Sequence, residues 1–162
     1  MHHGPFLCAI AMTLTTVVTA GTQTPAANAL PGPLRAHVTQ ERFQVVTSVR
    51  GLPLGVRDGL QTLFRSSFLD IAEPGAAFRA TDVIREPNLP TRRLVIAACS
   101  IDHCLVYYER GGVAHTWQVT LFHWTPAATR FEWGGIAPGG VKTIDDLREA
   151  VLSGTIGASR SW

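Results

Sequence analysis

The sequence carries little charge, and its charges nearly balance. Charged residues make up 16% of the 162 positions, and the formal net charge at pH 7 is +2. Almost all basic residues are arginine, and apart from the pair Arg92-Arg93 they are scattered along the chain. A protein that binds nucleic acid or an anionic membrane concentrates its basic residues in one patch. The sequence therefore predicts neither kind of partner.

Sequence signatures of common enzymes and of bound cofactors are missing as well. No serine stands in a G-x-S-x-G context, and the glycine-rich run 133–140 does not connect a strand to a helix as nucleotide-binding loops do. His115 and His123 would lie about 27 Å apart on one strand, because a strand rises about 3.4 Å per residue. No histidines of the mature chain have the spacing of metal ligands, and no carboxylates cluster with them. We therefore expect no metal and no cofactor.

An apolar run lies near the N-terminus. Residues 6–20 include no acidic or basic residue, but the run is shorter than the roughly 20 residues that a spanning helix needs. Small-residue sites such as Ala27-Asn28-Ala29 follow it, which is typical of a secretory signal peptide. We predict that residues 1–29 are a signal peptide and are removed. The mature protein would then be periplasmic or extracellular, without stable membrane insertion.

The remaining chain has the length of one domain with a single core. Residues 30–41 continue a proline-rich stretch and are predicted to be a disordered lead-in. Residues 42–156 are predicted to form a single domain, and residues 157–162 a frayed tail.

Cysteine is scarce. Of three cysteines, Cys8 lies in the predicted signal peptide, which leaves Cys99 and Cys104. An even pair in an exported chain indicates a disulfide. A four-residue turn between the two would place them opposite each other on neighbouring strands. The alternative, a nucleophilic Cys104 with His115 as its base, is disfavoured because His115 falls four residue pairs farther along the hairpin.

The centre of the chain alternates apolar and polar residues as a β-meander does. Gly111-Gly112 indicates a two-residue hairpin turn, which predicts Tyr108 opposite His115 and Val106 opposite Trp117. The predicted strands are 93–99, 104–110, 113–124 and 129–134, with a further strand possible at 43–49.

Two helices are predicted to flank this meander. Apolar residues recur on one face of a helix over Val56–Phe68. A second helix follows Thr143, which is a suitable N-cap with Asp146 three residues later, and Gly154 suits its C-terminal end. The predicted fold class is α+β: a small antiparallel β-meander sheet of three to five strands with two helices packed on one face. Residues 70–92 are predicted to be a long irregular connection.

Aromatic residues concentrate around the last predicted hairpin. If residues 125–128 form a four-residue turn, four aromatic side chains share one face of the sheet. They would form either a second small core or an exposed platform for a ligand. The four are Phe122, Trp124, Phe131 and Trp133.

From these features we expect an exported binding or interaction module without a cofactor. Its partner would be a small molecule or an envelope protein. The predicted binding residues lie on the mixed face of the sheet, together with the 70–92 connection. They are Tyr107, Glu109, Gln118 and Trp124.

Two alternatives belong to other classes of function. The first is a small periplasmic hydrolase in which His115 acts with Tyr108 or Arg110, since all three would converge at the Gly111-Gly112 end of the hairpin. The same cluster could instead be a hydrogen-bonded pair at the rim of the core. The second alternative is a structural accessory domain of an envelope assembly.

Overall fold

The computed structural model describes residue 1, residues 28–83 and residues 86–162. The predicted signal peptide falls almost entirely on residues 2–27 and so lies outside the described residues. A short 3-10 turn at Val49–Gly51 precedes the second helix. The other elements, in chain order, are α1 (Gly32–Gln40), β1 (Gln44–Val46), α2 (Leu54–Phe64), β2 (Arg92–Cys99), β3 (His103–Arg110), β4 (Thr116–Trp124), β5 (Thr129–Ala137) and α3 (Ile144–Leu152).

The five strands form one antiparallel sheet in the order β1-β2-β3-β4-β5, which confirms the predicted α+β meander. The prediction that helices cover one face is wrong. Helix α2 packs on one face of the sheet, which we call the α2 face. Helices α1 and α3 pack on the other, which we call the α3 face. The reason is visible in β3, where six consecutive residues from His103 to Tyr108 are buried. A strand that is apolar on both sides must be covered on both sides.

Residues 30–41 are not a disordered lead-in, because α1 occupies Gly32–Gln40. Pro33 lies in its first turn, where the fixed φ of proline favours a helix and its missing N–H costs nothing. Val38 is completely buried on the α3 face. The Arg148 guanidinium of α3 donates hydrogen bonds to the carbonyls of Val38 and Thr39, at 2.9 and 2.7 Å. The helix is therefore part of the folded domain.

The predicted register of β3 and β4 is wrong by three residues. Tyr108 pairs with Gln118 rather than His115, and Val106 pairs with Thr120 rather than Trp117. Gly111 and Gly112 do not form a two-residue turn: the Gly111 N–H donates to the Thr91 carbonyl, 2.9 Å away. Gly111 also lies so close to another loop that an added Cβ would stand 1.9 Å from the Arg79 carbonyl oxygen. The connection therefore runs over residues 111–115, and the odd shift moves every β4 side chain to the opposite face.

The two other predicted turns are confirmed. Cys99 pairs with Cys104 across the β2–β3 turn and the two form a disulfide, with Cα atoms 4.1 Å apart. Trp124 pairs with Thr129 across a four-residue turn, which is closed by a 2.8 Å hydrogen bond from the Thr125 N–H to the Ala128 carbonyl.

One β-bulge separates the four aromatic residues that were predicted to share a face. Phe122 pairs with Phe131, but the neighbouring Leu121 pairs with Trp133, so Glu132 is the extra residue. Phe131 stays on the α2 face, edge-on to Phe122 at 5.8 Å between ring centroids. Trp133 is buried in the core of the α3 face.

The predicted boundaries of the flanking helices differ in accuracy. Helix α2 ends at Phe64, four residues before the predicted end, because Arg65 has a left-handed φ of 52° and caps it. Helix α3 begins as predicted: Thr143 and Asp146 form a reciprocal capping box, and Gly154 has a φ of +76° just beyond its end.

Residues 157–162 are not a frayed tail. Gly157 and Ile136 exchange two backbone hydrogen bonds of 2.8 Å. The Trp162 carbonyl accepts a hydrogen bond from Arg92, and its ring lies 5.3 Å from that of Phe131. The tail is therefore anchored to both β2 and β5. No helix in the described part of the chain has the length and apolar character to cross a membrane.

Candidate functional site

A groove of about 920 Å³ runs between α2 and the β4–β5 turn. Its walls are mostly apolar and include the ring of Trp124. Leu54 and Phe131, which also line it, keep 70% and 38% of their surface exposed. Exposed apolar side chains that gather in a concave surface are typical of a ligand site.

Two glycines of α2 set the shape of this groove. A Cβ added at Gly55 would stand 2.0 Å from the Thr129 hydroxyl oxygen, and one added at Gly59 would stand 2.8 Å from the Phe122 ring. The helix backbone therefore lies directly on β4 and β5, as only glycine permits. The groove opens beside this close contact and extends along α2 from Leu54 to Leu63, facing the β4–β5 turn.

The groove has few polar groups. Asp58 is the only ionisable residue among those that line it. Its side chain is exposed, and it has no ion pair among the described residues. The indole N–H of Trp124 and the hydroxyl of Thr129 are buried without a hydrogen-bond partner in the described structure.

Of the predicted binding residues, only Trp124 lies in the groove. Tyr107 is fully buried on the α3 face, where its hydroxyl donates a 2.7 Å hydrogen bond to the Pro138 carbonyl. Gln118 is also buried, on the same face as Tyr108 and so on the α2 face. Because of the register shift, Tyr107 and Gln118 lie on opposite faces of the sheet. The described residues of the 70–92 connection do not line the groove either.

Glu109, the fourth predicted binding residue, is held by two neighbours. Its carboxylate accepts two 3.0 Å hydrogen bonds from the Arg93 guanidinium and lies 3.2 Å from His115 Nε2. The His115 ring also stacks on Trp117, 4.6 Å between centroids. Both oxygens of the Glu109 carboxylate therefore already have partners within the protein.

The residues proposed for hydrolysis are not brought together. Tyr108 is buried in the α2-face core, edge-on to Phe64, whereas His115 contacts Glu109 and Trp117. Burial raises the pKa of Tyr108 well above its ordinary value, and the nearby Arg92 and Arg110 offset this only in part. A hydroxyl held neutral in a core, away from the histidine, cannot share a proton with it.

A second polar cluster joins α1 to the start of β3. Glu41 Oε1 lies 2.7 Å from His37 Nδ1 and 2.8 Å from His103 Nδ1, and the two imidazole rings are 4.3 Å apart. His103 is buried, while the His37 side chain is about half exposed. The Ser100 hydroxyl donates to the other Glu41 oxygen. Two imidazoles thus converge on one carboxylate oxygen.

The ionisation of Glu41 follows from these contacts. Partial burial raises the pKa of its carboxyl, but hydrogen bonds from Ser100 and His37 and the charge of His103 outweigh burial, so that the pKa lies below the ordinary value. Glu41 is therefore an ionised acceptor at neutral pH.

This cluster is absent from the sequence predictions, because a disordered lead-in over residues 30–41 would not hold His37 and Glu41 in place. Local signals were present: Pro33 suits the first turn of a helix, and His37 and Glu41 are spaced i, i+4 on one helix face. The approach of His103 from a distant strand has no local signal.

Comparison with protein-family models, curated proteins and solved structures finds no match to this chain. The groove and the His37–Glu41–His103 cluster are therefore the features from which a function can be inferred.

Proposed function

We propose that this protein is a binding module that holds a small amphipathic molecule in the groove between α2 and the β4–β5 turn. The molecule has an apolar, ring-bearing body and a cationic group. The observation that carries this proposal is the groove of about 920 Å³ with the Trp124 ring in its wall. This volume lies within the range of small-molecule sites, which are mostly apolar with a few polar groups that orient the ligand.

The apolar body of the ligand is inferred from the side chains that meet it. Trp124, Phe131 and Leu54 offer two aromatic surfaces and one aliphatic surface. An aromatic ring placed against them gains by edge or offset stacking as well as by removing apolar surface from water.

The cationic group is inferred from Asp58. It is the only charged residue in the groove wall, and it has no ion pair among the described residues. An ammonium group of the ligand would complete this pair at the groove rim, where an exposed pair contributes about 1 kcal/mol or less. The charge of Asp58 would therefore contribute more to ligand specificity than to affinity.

We further propose that the module works outside the cytoplasm, in the periplasm or beyond the cell. The Cys99–Cys104 disulfide supports this location, because disulfides persist mainly in oxidising compartments. The hydrolase alternative is less well supported, because Tyr108 lies in the α2-face core while His115 contacts Glu109 and Trp117. The accessory-domain alternative stays a prediction, which co-purification with one envelope protein would test.

The ligand proposal is tested with three small probes that share a phenyl ring. They are phenethylamine, which is cationic, 2-phenylethanol, which is neutral, and phenylacetate, which is anionic. Binding is followed by tryptophan fluorescence and by NMR titration. Phenethylamine is expected to bind with a Kd of about 1 mM, the affinity of a ligand of this size. The neutral probe should bind about fivefold more weakly, and the anion more weakly still.

Variants assign the binding to the groove. Trp124→Ala should abolish phenethylamine binding, whereas Asp58→Asn should reduce its affinity only to that of 2-phenylethanol. Trp133→Phe is the matched control, since Trp133 lies in the opposite core, and it should leave binding unchanged. Equal affinity for all three probes would contradict the role of Asp58. Unchanged binding in folded Trp124→Ala would contradict the site.

A further inference from the structure

We propose that His37, Glu41 and His103 form a binding site for Zn²⁺. These residues lie about the β2–β3 turn and the C-terminal end of α1, apart from the groove proposed for the organic ligand. Their nearest ligand-type atoms all lie within 4.8 Å of one another. The site would give the protein a metal-binding function independent of its organic ligand.

The donor set has the chemistry that zinc prefers. Two imidazole nitrogens and one carboxylate oxygen are the three protein ligands of one common kind of zinc site, in which the fourth position is left to water or a substrate. Magnesium and calcium prefer sets made entirely of oxygen, so two imidazoles disfavour them.

The geometry needs only a small adjustment to accept the ion. Ligand atoms around a tetrahedral zinc stand about 3.3 Å apart, given bonds of about 2.0–2.1 Å. The carboxylate oxygen now stands 2.7 and 2.8 Å from the two nitrogens. Both distances must therefore open by about 0.5 Å. The half-exposed His37 and the partly exposed Glu41 side chain can make this movement, whereas the buried His103 supplies a fixed position.

Neighbouring groups orient the Glu41 carboxylate and leave the cluster accessible to an ion. Ser100 donates to the Glu41 oxygen that the imidazoles do not use, as outer hydrogen bonds orient carboxylate ligands in metal sites. A cavity of about 490 Å³ lies beside the carboxylate and is lined by Glu41, Arg42 and Ser100, but by neither histidine. The ion and a fourth, non-protein ligand would therefore approach from the side of His37, whose side chain is about half exposed.

The same contacts without a metal would be an ion-pair network that ties α1 to the sheet. The two possibilities make different predictions, because a network of hydrogen bonds takes up no zinc. Zinc uptake at one equivalent is therefore the decisive measurement.

The test titrates the metal-free full chain with Zn²⁺ by calorimetry and records the absorption of the Co²⁺ form, whose visible bands report tetrahedral coordination. We expect one Zn²⁺ per chain and no comparable binding of Mg²⁺. His37→Ala and Glu41→Gln should each weaken Zn²⁺ binding at least about tenfold, the loss that even an outer-shell partner of a metal ligand can cause.

Controls separate this site from other histidines and from unfolding. His115→Ala removes a histidine of similar exposure outside the cluster and should leave Zn²⁺ binding unchanged. His2 and His3 are present in the unaltered chain and in every variant, so they cannot cause a difference in Zn²⁺ affinity between these proteins. Circular dichroism confirms that each variant is folded, and the exposure of His37 makes His37→Ala the safer of the two. Absence of stoichiometric Zn²⁺ binding in the unaltered chain overturns the proposal, and so does wild-type affinity in either folded variant.

Discussion

At the scale of single residues, the contact of α2 with the sheet depends on Gly59. Glycine costs about 1 kcal/mol relative to alanine inside a helix. Here the missing Cβ lets Phe122, which is fully buried, pack against the helix backbone. The same close approach sets one side of the groove. A residue that is unfavourable for the helix is therefore favourable for the packing that positions the candidate site.

Substitution of Gly59 by alanine should destabilise the protein despite the higher helix propensity of alanine. The new Cβ would stand 2.8 Å from the ring of Phe122, which is fully buried, and overpacking of this kind costs about 1–3 kcal/mol. Urea denaturation measures the free energy of unfolding. Gly32→Ala is the control, because a Cβ there meets nothing within 4 Å. A Gly59→Ala protein as stable as the control would contradict the close contact.

At the scale of elements, α1 is the clearest example of structure that local sequence analysis misjudged. It follows a proline-rich stretch, and the helix has only nine residues, a length that is marginal in isolation. Burial of Val38 and the hydrogen bonds from Arg148 stabilise it in the folded protein. In contrast, α3 was predictable, because the Thr143–Asp146 capping box is encoded within four residues.

A chain that begins at residue 42 should therefore be much less stable than one that begins at residue 28. It lacks the α1 residues that cover the α3 face, and each buried aliphatic side chain contributes about 1.5–3 kcal/mol. Urea denaturation of the two chains measures the difference, which we expect to be several kcal/mol. Equal stability would show that α1 is dispensable, as the lead-in prediction assumed.

At the scale of the whole molecule, the sheet has a core on each face, and each core contains one of the two tyrosines. Tyr107 belongs to the α3-face core and Tyr108 to the α2-face core. Burial is the main cause that raises the pKa of Tyr107 to about 12, and the negative charge of Glu109 adds to it. Hydrogen bonding to the backbone lowers this pKa, but only in part. Burial raises the pKa of Tyr108 as well. Both cores therefore favour neutral tyrosine.

This burial predicts a loss of stability at alkaline pH. The folded pKa lies above the unfolded value of about 10, so the neutral form is favoured in the fold. The contribution of the buried neutral tyrosine to the free energy of unfolding is complete below pH 10, and it is lost as the pH rises from 10 through about 12. Absorbance near 295 nm reports tyrosinate, and it should rise together with the loss of the circular dichroism signal. Tyrosine ionisation at pH 10 in a folded protein would contradict this.

The sequence by itself determined the features that depend on a few neighbouring residues. The Cys99–Cys104 pairing, the four-residue turn after Trp124 and the cap at Thr143 each involve groups within six positions, so their geometry is decided locally. Only the tertiary structure decided which face each strand residue occupies. Gly111 packs against the distant Arg79 backbone, the β3–β4 connection spans residues 111–115, and the register differs by three from that of a two-residue turn. The groove, the burial that stabilises α1 and the approach of His103 to His37 and Glu41 likewise depend on packing between segments far apart in sequence. The bulge at Glu132 depends on how β5 pairs with β4.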